Sequence, residues 1–481
     1  MARRIEIGRL PSLIPADFPK PLHILALLGP GVVLASFNLG SGELIWWPYL
    51  VAKYGLAFAW LIIPAGLLQW WINLELARYV VVTGESPWVA LARISRKYFI
   101  LMWAFAIVTL AWWGGYAGAC GTALAALTEF PPMLSAKGRT LFWSYVVIAF
   151  SYLALVLSPV VYKAIERFLT ACMLVAVAGI VVVAFHPVFW RFWPEFASAL
   201  LTPRGMPPNW DVADAGILIT SIAYTGLGGF WQLTYAYWIR EAGCGMAGYV
   251  GRITSPVTGK PETISLYGYA PRDSPENRER YRLWMRPIYA NNTFGVLVNL
   301  FTTVLCAFLA FAILHPMGVW PKGYRLLVEQ AHFFGKLWGL LGFKVFLFVA
   351  AMGFIDTYIV ILDFVPRLYA EAIQVVAGGE RGWSYRRLYY ALVSFFAVWT
   401  GVTLLFAKPG PLIIWGGILN FIAMPVLHAS MLYMNYRLLP RRAGEFLRPA
   451  TRWLVIGIVC TAAYTALTAW YLATIAPTLL A

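Results

Sequence analysis

The chain has 481 residues, of which 61% are hydrophobic, 16% aromatic and only 12% charged, and its formal net charge is +16. About a quarter of the residues in an ordinary soluble domain are charged, so this composition excludes a soluble globular protein. Repeated apolar runs of about 20 residues, long enough to cross a bilayer as a helix, predict an all-α polytopic membrane protein.

Eleven membrane-spanning segments, numbered 1 to 11 below, are predicted to begin near His23, Tyr54, Phe99, Arg139, Lys163, Asp211, Pro287, Lys336, Arg386, Pro409 and Trp453. With the N-terminus inside, 27 of the 37 Lys and Arg residues fall on the cytoplasmic side. The positive-inside rule then predicts a plasma or inner membrane protein with a cytoplasmic N-terminus and an outer C-terminus. The basic charge therefore indicates topology and the lipid bilayer as a partner. Nucleic acid is not expected, because no basic stripe with interleaved exposed aromatic residues occurs.

Segment 1 carries a polar interruption, SFNLGSGELIWWP, between two apolar runs. The glycines of Gly40-Ser41-Gly42 allow a helix to open, which frees backbone carbonyl groups and half-helix ends to bind a ligand. Glu43 follows directly, and an unpaired carboxylate at the bilayer centre costs at least about 2.5–3.5 kcal/mol. We expect Glu43 to meet a cation, a proton or a basic side chain; a structural pairing with a buried polar neighbour is the alternative.

Segment 6 is interrupted in a similar way at YTGLGGFWQ, around Gly226, Gly228 and Gly229. With five segments in each half of the bundle, the two interruptions occupy corresponding positions. Paired glycine-interrupted segments predict an inverted-repeat transporter with a binding site between two broken helices near the midplane. The predicted parts are a cytoplasmic N-terminal segment (1–21), a first repeat (22–189), a second repeat (190–435) with a cytoplasmic loop (241–286), and a cytoplasmic linker with the eleventh helix (436–481).

Several stretches resemble the Nramp family, the natural-resistance-associated macrophage proteins, which transport divalent metals. They are GPG, YG, LLQ and VVTG in segments 1 and 2, GVLVNLFTTVLCAFLA in segment 7, FVAAMGFIDTYIVILDF in segment 8 and ILNFIAMPVLH in segment 10. The resemblance covers roughly residues 25–240 and 287–435. It implies the leucine-transporter-type fold with 5+5 inverted repeats, alternating access and import of divalent cations.

This chain departs from the family at the metal site. The family's Asp-Pro-Gly-Asn motif falls on Gly40, Ser41, Gly42 and Glu43, and its Met-Pro-His motif falls on Gly229, Phe230 and Trp231. The aspartate and thioether ligands are thus absent, and segment 3 lacks the acidic residues of the family's proton route. Oxygen ligands without sulfur favour harder cations such as manganese or magnesium.

Candidate ligand groups near the midplane are oxygen donors and opened backbone, at Glu43, Gly40, Asn38, Gly226, Thr225, Gln232 and Asp356, with Glu43 and Asp356 as charged metal ligands. An interhelical hydrogen bond is the alternative for Asp356. Candidates for proton transfer or a polar network are His428, Asn299 and Asn420, for which packing or satisfaction of opened backbone is the alternative. Glu75 with Arg78, and Asp363 with Arg367, are expected to form ion pairs.

The sequence thus predicts a secondary transporter that moves a divalent metal cation by alternating access, with proton coupling left open. One alternative is a transporter of an organic cation or an amino acid on the same fold, and another is a metal sensor that does not transport. No enzyme is expected, because neither HExxH nor a plausible Ser–His pair occurs. No cofactor is expected beyond the transported ion, and a monomer is expected.

Overall fold

A computed structural model describes residues 10–21, 40–157, 159–251, 267–377 and 384–480, and their side chains except at 157–169 and 476–480. Within these ranges the chain is almost entirely helical, and the predicted all-α class is confirmed. The helices are α1 (Trp47–Tyr54), α2 (Ile62–Thr83), α3 (Pro87–Ile94), α4 (Arg96–Thr109), α5 (Gly114–Thr128), α6 (Ala136–Leu157), α7 (Pro159–Ala184), α8 (Trp193–Leu201), α9 (Ala215–Ala223), α10 (Gln232–Glu241), α11 (Pro275–Leu309), α12 (His315–Met317), α13 (His332–Ala377), α14 (Tyr385–Phe406), α15 (Pro409–Tyr433), α16 (Leu439–Ala443) and α17 (Thr451–Leu480).

Seven helical stretches in the described ranges are long and apolar enough to cross a membrane. An eighth is added if Thr170–Ala184 and Pro187–Leu201, which meet at an angle of 67°, are counted as one broken span. Segments 1 and 6 are represented by shorter helices, α1 for the end of segment 1 and α9 with α10 for segment 6. Most of segment 1, with His23 and Asn38, lies outside the described residues.

The centre of the bundle is formed by α2, which is buried along most of its length and contacts α10 and α11. Both α9 and α10 are buried as well, whereas α17 lies at the periphery with much of its surface exposed. Close packing of α5 depends on its glycines, since a Cβ atom on Gly115 would lie 2.7 Å from the carbonyl oxygen of Pro409. Small residues allow such close backbone approach between membrane helices.

The N-terminal segment is attached to the loop that precedes α11. Strand β1 (Ile14–Ala16) pairs in parallel with β2 (Tyr269–Pro271), which lies in the predicted cytoplasmic loop. The backbone N–H of Phe18 donates to Oδ1 of Asn277 at 2.9 Å, and the indole N–H of Trp284 donates to the carbonyl of Pro19 at 2.9 Å. These contacts hold the chain that leads into segment 1 at the end of the bundle that the positive-inside rule predicts to be cytoplasmic.

Buried and partly buried ion pairs lie at the same end. Both expected pairs are present, Glu75–Arg78 at 3.1 Å and Asp363–Arg367 at 2.9 Å. Two further pairs join elements that are distant in sequence or across a turn, Arg240–Glu371 at 2.8 Å and Glu85–Arg93 at 2.5 Å. Each carboxylate also accepts hydrogen bonds from a tyrosine hydroxyl: Tyr436, Tyr389, Tyr237 and Tyr79 respectively. Such additional hydrogen bonds offset the cost of removing both charges from water.

Candidate functional site

Segments 1 and 6 meet at the level of their backbones. A π-helical turn, Gly42–Trp46, precedes α1, and a Cβ atom on Gly42 would lie only 1.9 Å from the carbonyl oxygen of Tyr224. Tyr224 ends α9, and α10 begins at Gln232 after a short 3₁₀ turn (Gly229–Trp231). Gly228 and Gly229 have φ values of 59° and 55°, which side chains other than glycine rarely adopt. The predicted break in segment 6 is confirmed, and the described part of segment 1 begins at its own glycine motif.

The opened backbone of segment 6 is satisfied by two side-chain amides. Nε2 of Gln69, on α2, donates to the carbonyl oxygens of Ile222 and Ala223 at 3.1 and 2.9 Å, and its Oε1 accepts from the N–H of Gly228 at 3.0 Å. Asn420, on α15, accepts from the N–H of Phe230 at 2.9 Å. Asn420 therefore satisfies opened backbone, which was the alternative to a role in proton transfer. Gln69 was missed, although it lies in the LLQ motif, because the motif does not reveal which backbone it faces.

Glu43 is completely buried, and its hydrogen-bond partners are uncharged. Its Oε2 accepts from the backbone N–H of Gly40 at 3.0 Å, and its Oε1 accepts from the side-chain amide of Asn299 on α11. A carboxylate that reaches back to an N–H three residues earlier resembles one half of a capping box and lies at the favourable end of the helix dipole. Within the described residues no Arg or Lys pairs with Glu43, and residues 22–39 contain neither type.

A cavity of about 30 Å³ lies between the two interrupted segments and α5 and α13. This volume holds one or two water molecules or a small ion. The polar side chains in its lining are those of Ser41, Tyr116, Tyr224, Trp231 and Thr357. Gly40, Gly42, Gly226 and the apolar Leu227 also line it. Ser41 and Tyr116 are joined through their hydroxyl oxygens at 3.4 Å. The part of the cavity wall that the structure describes is therefore uncharged, and it offers oxygen donors and aromatic rings.

Other predicted ligands lie beside this cavity rather than in its wall. The hydroxyl of Thr225 donates to the carbonyl of Ser221 at 2.8 Å and accepts from the indole N–H of Trp47 at 2.8 Å. Gln232 is buried, with its Nε2 3.4 Å from Oε1 of Gln69. Asp356 precedes the lining residue Thr357 on α13 and is partly buried. Asn38 lies outside the described residues, so its place in the site remains a prediction.

His428 is a buried ring between two other rings. Its centroid lies 5.6 Å from that of Trp71 on α2 and 5.1 Å from that of Tyr464 on α17. In the part of the chain that the structure describes, neither ring nitrogen has a hydrogen-bond partner. The geometry is that of aromatic packing; the proton-carrying role stays a prediction.

The described residues contain no group of three or more His, Cys, Asp and Glu side chains placed to hold a metal ion. A divalent ion at this site would thus be held by neutral hydroxyl and carbonyl oxygens, by water and by at most one or two carboxylates. Magnesium and manganese accept such ligands, and magnesium keeps several of its waters.

The outer ends of segments 1 and 6 are joined by a cluster around Asp214. Its carboxylate accepts from Lys53 at 2.7 Å and from the hydroxyl of Tyr54 at 2.6 Å, and Tyr49 donates at 3.0 Å. Lys53 also lies 3.7 Å from Asp211. These contacts join segments 1 and 6 at the ends that are predicted to face outward.

Solved membrane proteins share this architecture. The H236A mutant of the manganese transporter of Eremococcus coleocola is 13% identical, with a TM-score of 0.59 and coverage of 97% of this chain and 91% of that chain. The E129A mutant of the same transporter is 14% identical, with a TM-score of 0.58 and coverage of 97% and 91%. MhsT in complex with L-phenylalanine is 14% identical, with a TM-score of 0.53 and coverage of 95% and 98%.

No family model matches the chain, and no curated protein sequence matches it. At these identities the solved structures show the fold alone. The chain is an all-α polytopic membrane protein with the leucine-transporter-type fold, in which segment 6 is interrupted between α9 and α10.

Proposed function

We propose that this protein is a secondary transporter that moves a divalent metal cation, with a preference for hard ions such as manganese or magnesium, by alternating access. The observation that carries the proposal is Glu43, a completely buried carboxylate whose partners are uncharged. A buried charge is stable only when it is paired, neutralised or bound to a metal. A cation bound at the interrupted helices would supply the positive charge that compensates the Glu43 carboxylate.

The adjacent cavity supports an ion rather than a bulky solute. Its volume of about 30 Å³ is well below the roughly 300–1,000 Å³ of sites for small organic ligands. Its oxygen donors suit a hard cation. Glu43 also accepts the hydrogen bond from the N–H of Gly40, at the start of the helical stretch. A substrate carboxylate would otherwise bind at such a helix start, so an anionic substrate is disfavoured.

The test is metal uptake into proteoliposomes with an entrapped metal-sensitive dye, comparing the wild type, Glu43→Gln and Glu43→Asp. Glu43→Gln has nearly the same shape, can still accept from Gly40, and removes only the charge. We expect it to abolish manganese and magnesium uptake while the protein stays folded. Glu195→Gln, the same change at an exposed site on α8, is the matched control and should transport normally. Uptake by Glu43→Gln at the wild-type rate would refute the assignment.

One observation favours a second candidate, an organic cation. Tyr116, Tyr224 and Trp231 contribute to the cavity wall, and aromatic faces bind ammonium groups. MhsT, which shares the fold, was solved with an amino acid, L-phenylalanine. Isothermal titration of the purified protein with manganese, magnesium and a panel of amines and amino acids separates these candidates. Heat from the organic compounds alone would favour this second function, and metal binding without flux would favour a sensor.

A further inference from the structure

The second half of the connection between segments 7 and 8 packs into the bundle. This connection runs from α12 to α13, on the side that the positive-inside rule predicts to face outward. Two 3₁₀ turns, Gly323–Arg325 and Glu329–Ala331, lie in its second half, where Leu326, Leu327 and Gln330 are buried. Connecting segments usually lie on the surface, where water satisfies their polar groups. The buried polar groups of this one need partners inside the protein.

Gln330 joins the connection to the backbone of segment 1. Its side chain is completely buried, and its Nε2 donates to the carbonyl oxygen of Leu44 at 2.5 Å and to that of Leu326 at 3.0 Å. Leu44 lies in the π-helical turn, directly after Glu43. Because a carbonyl oxygen only accepts hydrogen bonds, two of them at one end of the amide require the nitrogen of Gln330 to lie there. The side chain therefore acts as a donor to segment 1.

The sequence of segment 1 explains why Leu44 takes a donor from outside its own helix. In an α-helix each carbonyl accepts from the N–H four residues later, and Pro48, four residues after Leu44, has no N–H. The turn here is π-helical, and the N–H of Trp47 donates to the carbonyl of Gly42. Pro48 thus removes the α-helical partner of the Leu44 carbonyl, and Gln330 supplies a donor in its place. Loss of that donor would leave a costly gap in the hydrogen bonding of a buried carbonyl.

The hydrogen bond from Gln330 also lies next to the backbone that carries the Glu43 carboxylate. The N–H of Leu44 donates to the carbonyl of Gly40 at 3.1 Å, while the carboxylate of Glu43 accepts from the N–H of Gly40 at 3.0 Å. Leu44 is therefore held through both of its backbone polar groups. This arrangement fixes the backbone at Glu43, whose side chain is directed toward Asn299 on α11.

A second side chain attaches the start of the same connection to segment 1. Nδ1 of His315, on α12, lies 2.9 Å from the carbonyl oxygen of Ala52 on α1. That oxygen only accepts, so Nδ1 carries the proton and donates. Ala52 lies eight residues after Leu44, which is about two helical turns. The connection is thus attached to segment 1 at two carbonyl groups, one near the outer end of α1 and one beside Glu43.

We propose that Gln330 is a positioning residue for the cation site. Through the Leu44 carbonyl it holds the turn Gly42–Trp46 in the conformation that directs the Glu43 carboxylate toward α11. It acts through the backbone and does not itself bind the ion. The proposal rests on the proposed function, because it concerns how Glu43 is held for the cation. It adds a residue outside the two interrupted segments to those that set the affinity for the ion.

The test measures manganese and magnesium uptake into proteoliposomes at increasing ion concentration, for the wild type, Gln330→Leu, Pro48→Ala and the double variant. Gln330→Leu keeps the approximate size of the side chain and removes the donor. We expect the half-saturating ion concentration to rise about fivefold or more, the smaller end of the cost of an unpaired buried carbonyl, with a smaller change in maximal rate. Gln374→Leu, the same change at a buried glutamine near the C-terminal end of α13, is the matched control and should behave as the wild type does.

Pro48→Ala separates a role through the Leu44 carbonyl from a role in packing. Alanine restores an N–H four residues after Leu44, so that carbonyl no longer depends on Gln330. In this background Gln330→Leu should change the half-saturating concentration by less than about twofold, which is the usual error of such double-mutant cycles. An equal effect of Gln330→Leu with and without Pro48 would show packing alone and would overturn the proposal.

Uptake by the wild type distinguishes failure of this proposal from failure of the proposed function. Wild-type uptake together with an unaffected Gln330→Leu would overturn this proposal alone. A folded wild type that takes up neither manganese nor magnesium would overturn the proposed function, and this proposal with it. If Gln330→Leu does not fold, the double variant is the second measurement. A folded double variant would support the role through the Leu44 carbonyl, and an unfolded one would overturn it.

Discussion

Replacement of Gly42 by alanine should force the two interrupted segments apart. The new methyl group would lie 1.9 Å from the carbonyl oxygen of Tyr224, whereas real Cβ contacts are essentially never shorter than 3.0 Å. The obstacle is backbone, so no side-chain rotation can relieve it. Segments 1 and 6 would have to separate by at least about 1.1 Å, the difference between these two distances. Overpacking of this kind costs typically about 1–3 kcal/mol.

The same cost of about 1–3 kcal/mol also predicts the effect on ligand binding. If a ligand contacts both segments, their separation should weaken its binding by about 5- to 150-fold, since each 1.4 kcal/mol changes affinity tenfold. The assay is a chemical unfolding midpoint in detergent together with titration of the ligand that binds the wild type. Gly353→Ala on α13 is the matched control, because its nearest neighbour is the methyl group of Met173 at 3.8 Å. Alanine there should be neutral or stabilising by up to about 1 kcal/mol.

Wild-type stability and affinity in Gly42→Ala would refute the close approach of the two segments. Weaker binding with an unchanged unfolding midpoint would still agree with it, because the strain can be relieved locally at the cavity. Equal loss in Gly42→Ala and Gly353→Ala would instead show a general sensitivity to glycine replacement, and the backbone contact would not explain it.

Three further variants test other parts of the structure. Gln69→Leu removes the partner of three backbone groups, and at about 1–3 kcal/mol for each it should lower the free energy of unfolding by 3 kcal/mol or more; a loss below about 0.5 kcal/mol would contradict this. His428→Phe should leave stability and transport intact, because the ring packs between aromatic neighbours; loss of flux by a folded variant would indicate a proton carrier. Asp214→Asn should loosen the cluster with Lys53, so a cysteine introduced at Ser41 should react faster with a membrane-impermeant maleimide from the outer side; unchanged reactivity would count against a closing role.

The fold could be predicted because a bilayer restricts a chain strongly. Spanning helices require apolar runs of fixed length, and backbone can leave the helical conformation at depth only where protein or water satisfies it. Glycines grouped inside an apolar run, as at Gly226, Gly228 and Gly229, therefore indicate a break in the helix from the sequence alone. The same restriction explains the ion pairs of Glu75 and Asp363, whose basic partners lie three and four residues away on the same helix.

The surroundings of the site could not be predicted, because they depend on partners distant in sequence. Asn299 lies 256 positions from the Glu43 carboxylate to which it donates, and Gln69 lies 159 positions from Gly228. Neighbouring residues of a helix also point about 100° apart, so placing Gly42 at the gap did not determine which way Glu43 faces. The carboxylate is directed toward α11, whereas the cavity wall includes Tyr116 and other residues that the sequence did not single out.

The two interruptions are stabilised by different chemistry, and the difference bears on function. In segment 6 the opened backbone is satisfied by the neutral amides of Gln69 and Asn420. In segment 1 the N–H of Gly40 is satisfied by a carboxylate, although a glutamine at position 43 could accept the same hydrogen bond. Its other contact is with the side-chain amide of Asn299, which donates to the carboxylate. The hydrogen bond from Gly40 alone therefore does not require a charge at Glu43, and a charge buried there must be compensated by a bound cation or neutralised by a proton. Glu43→Gln separates these two properties, since a glutamine can still accept the hydrogen bond from Gly40 but carries no charge.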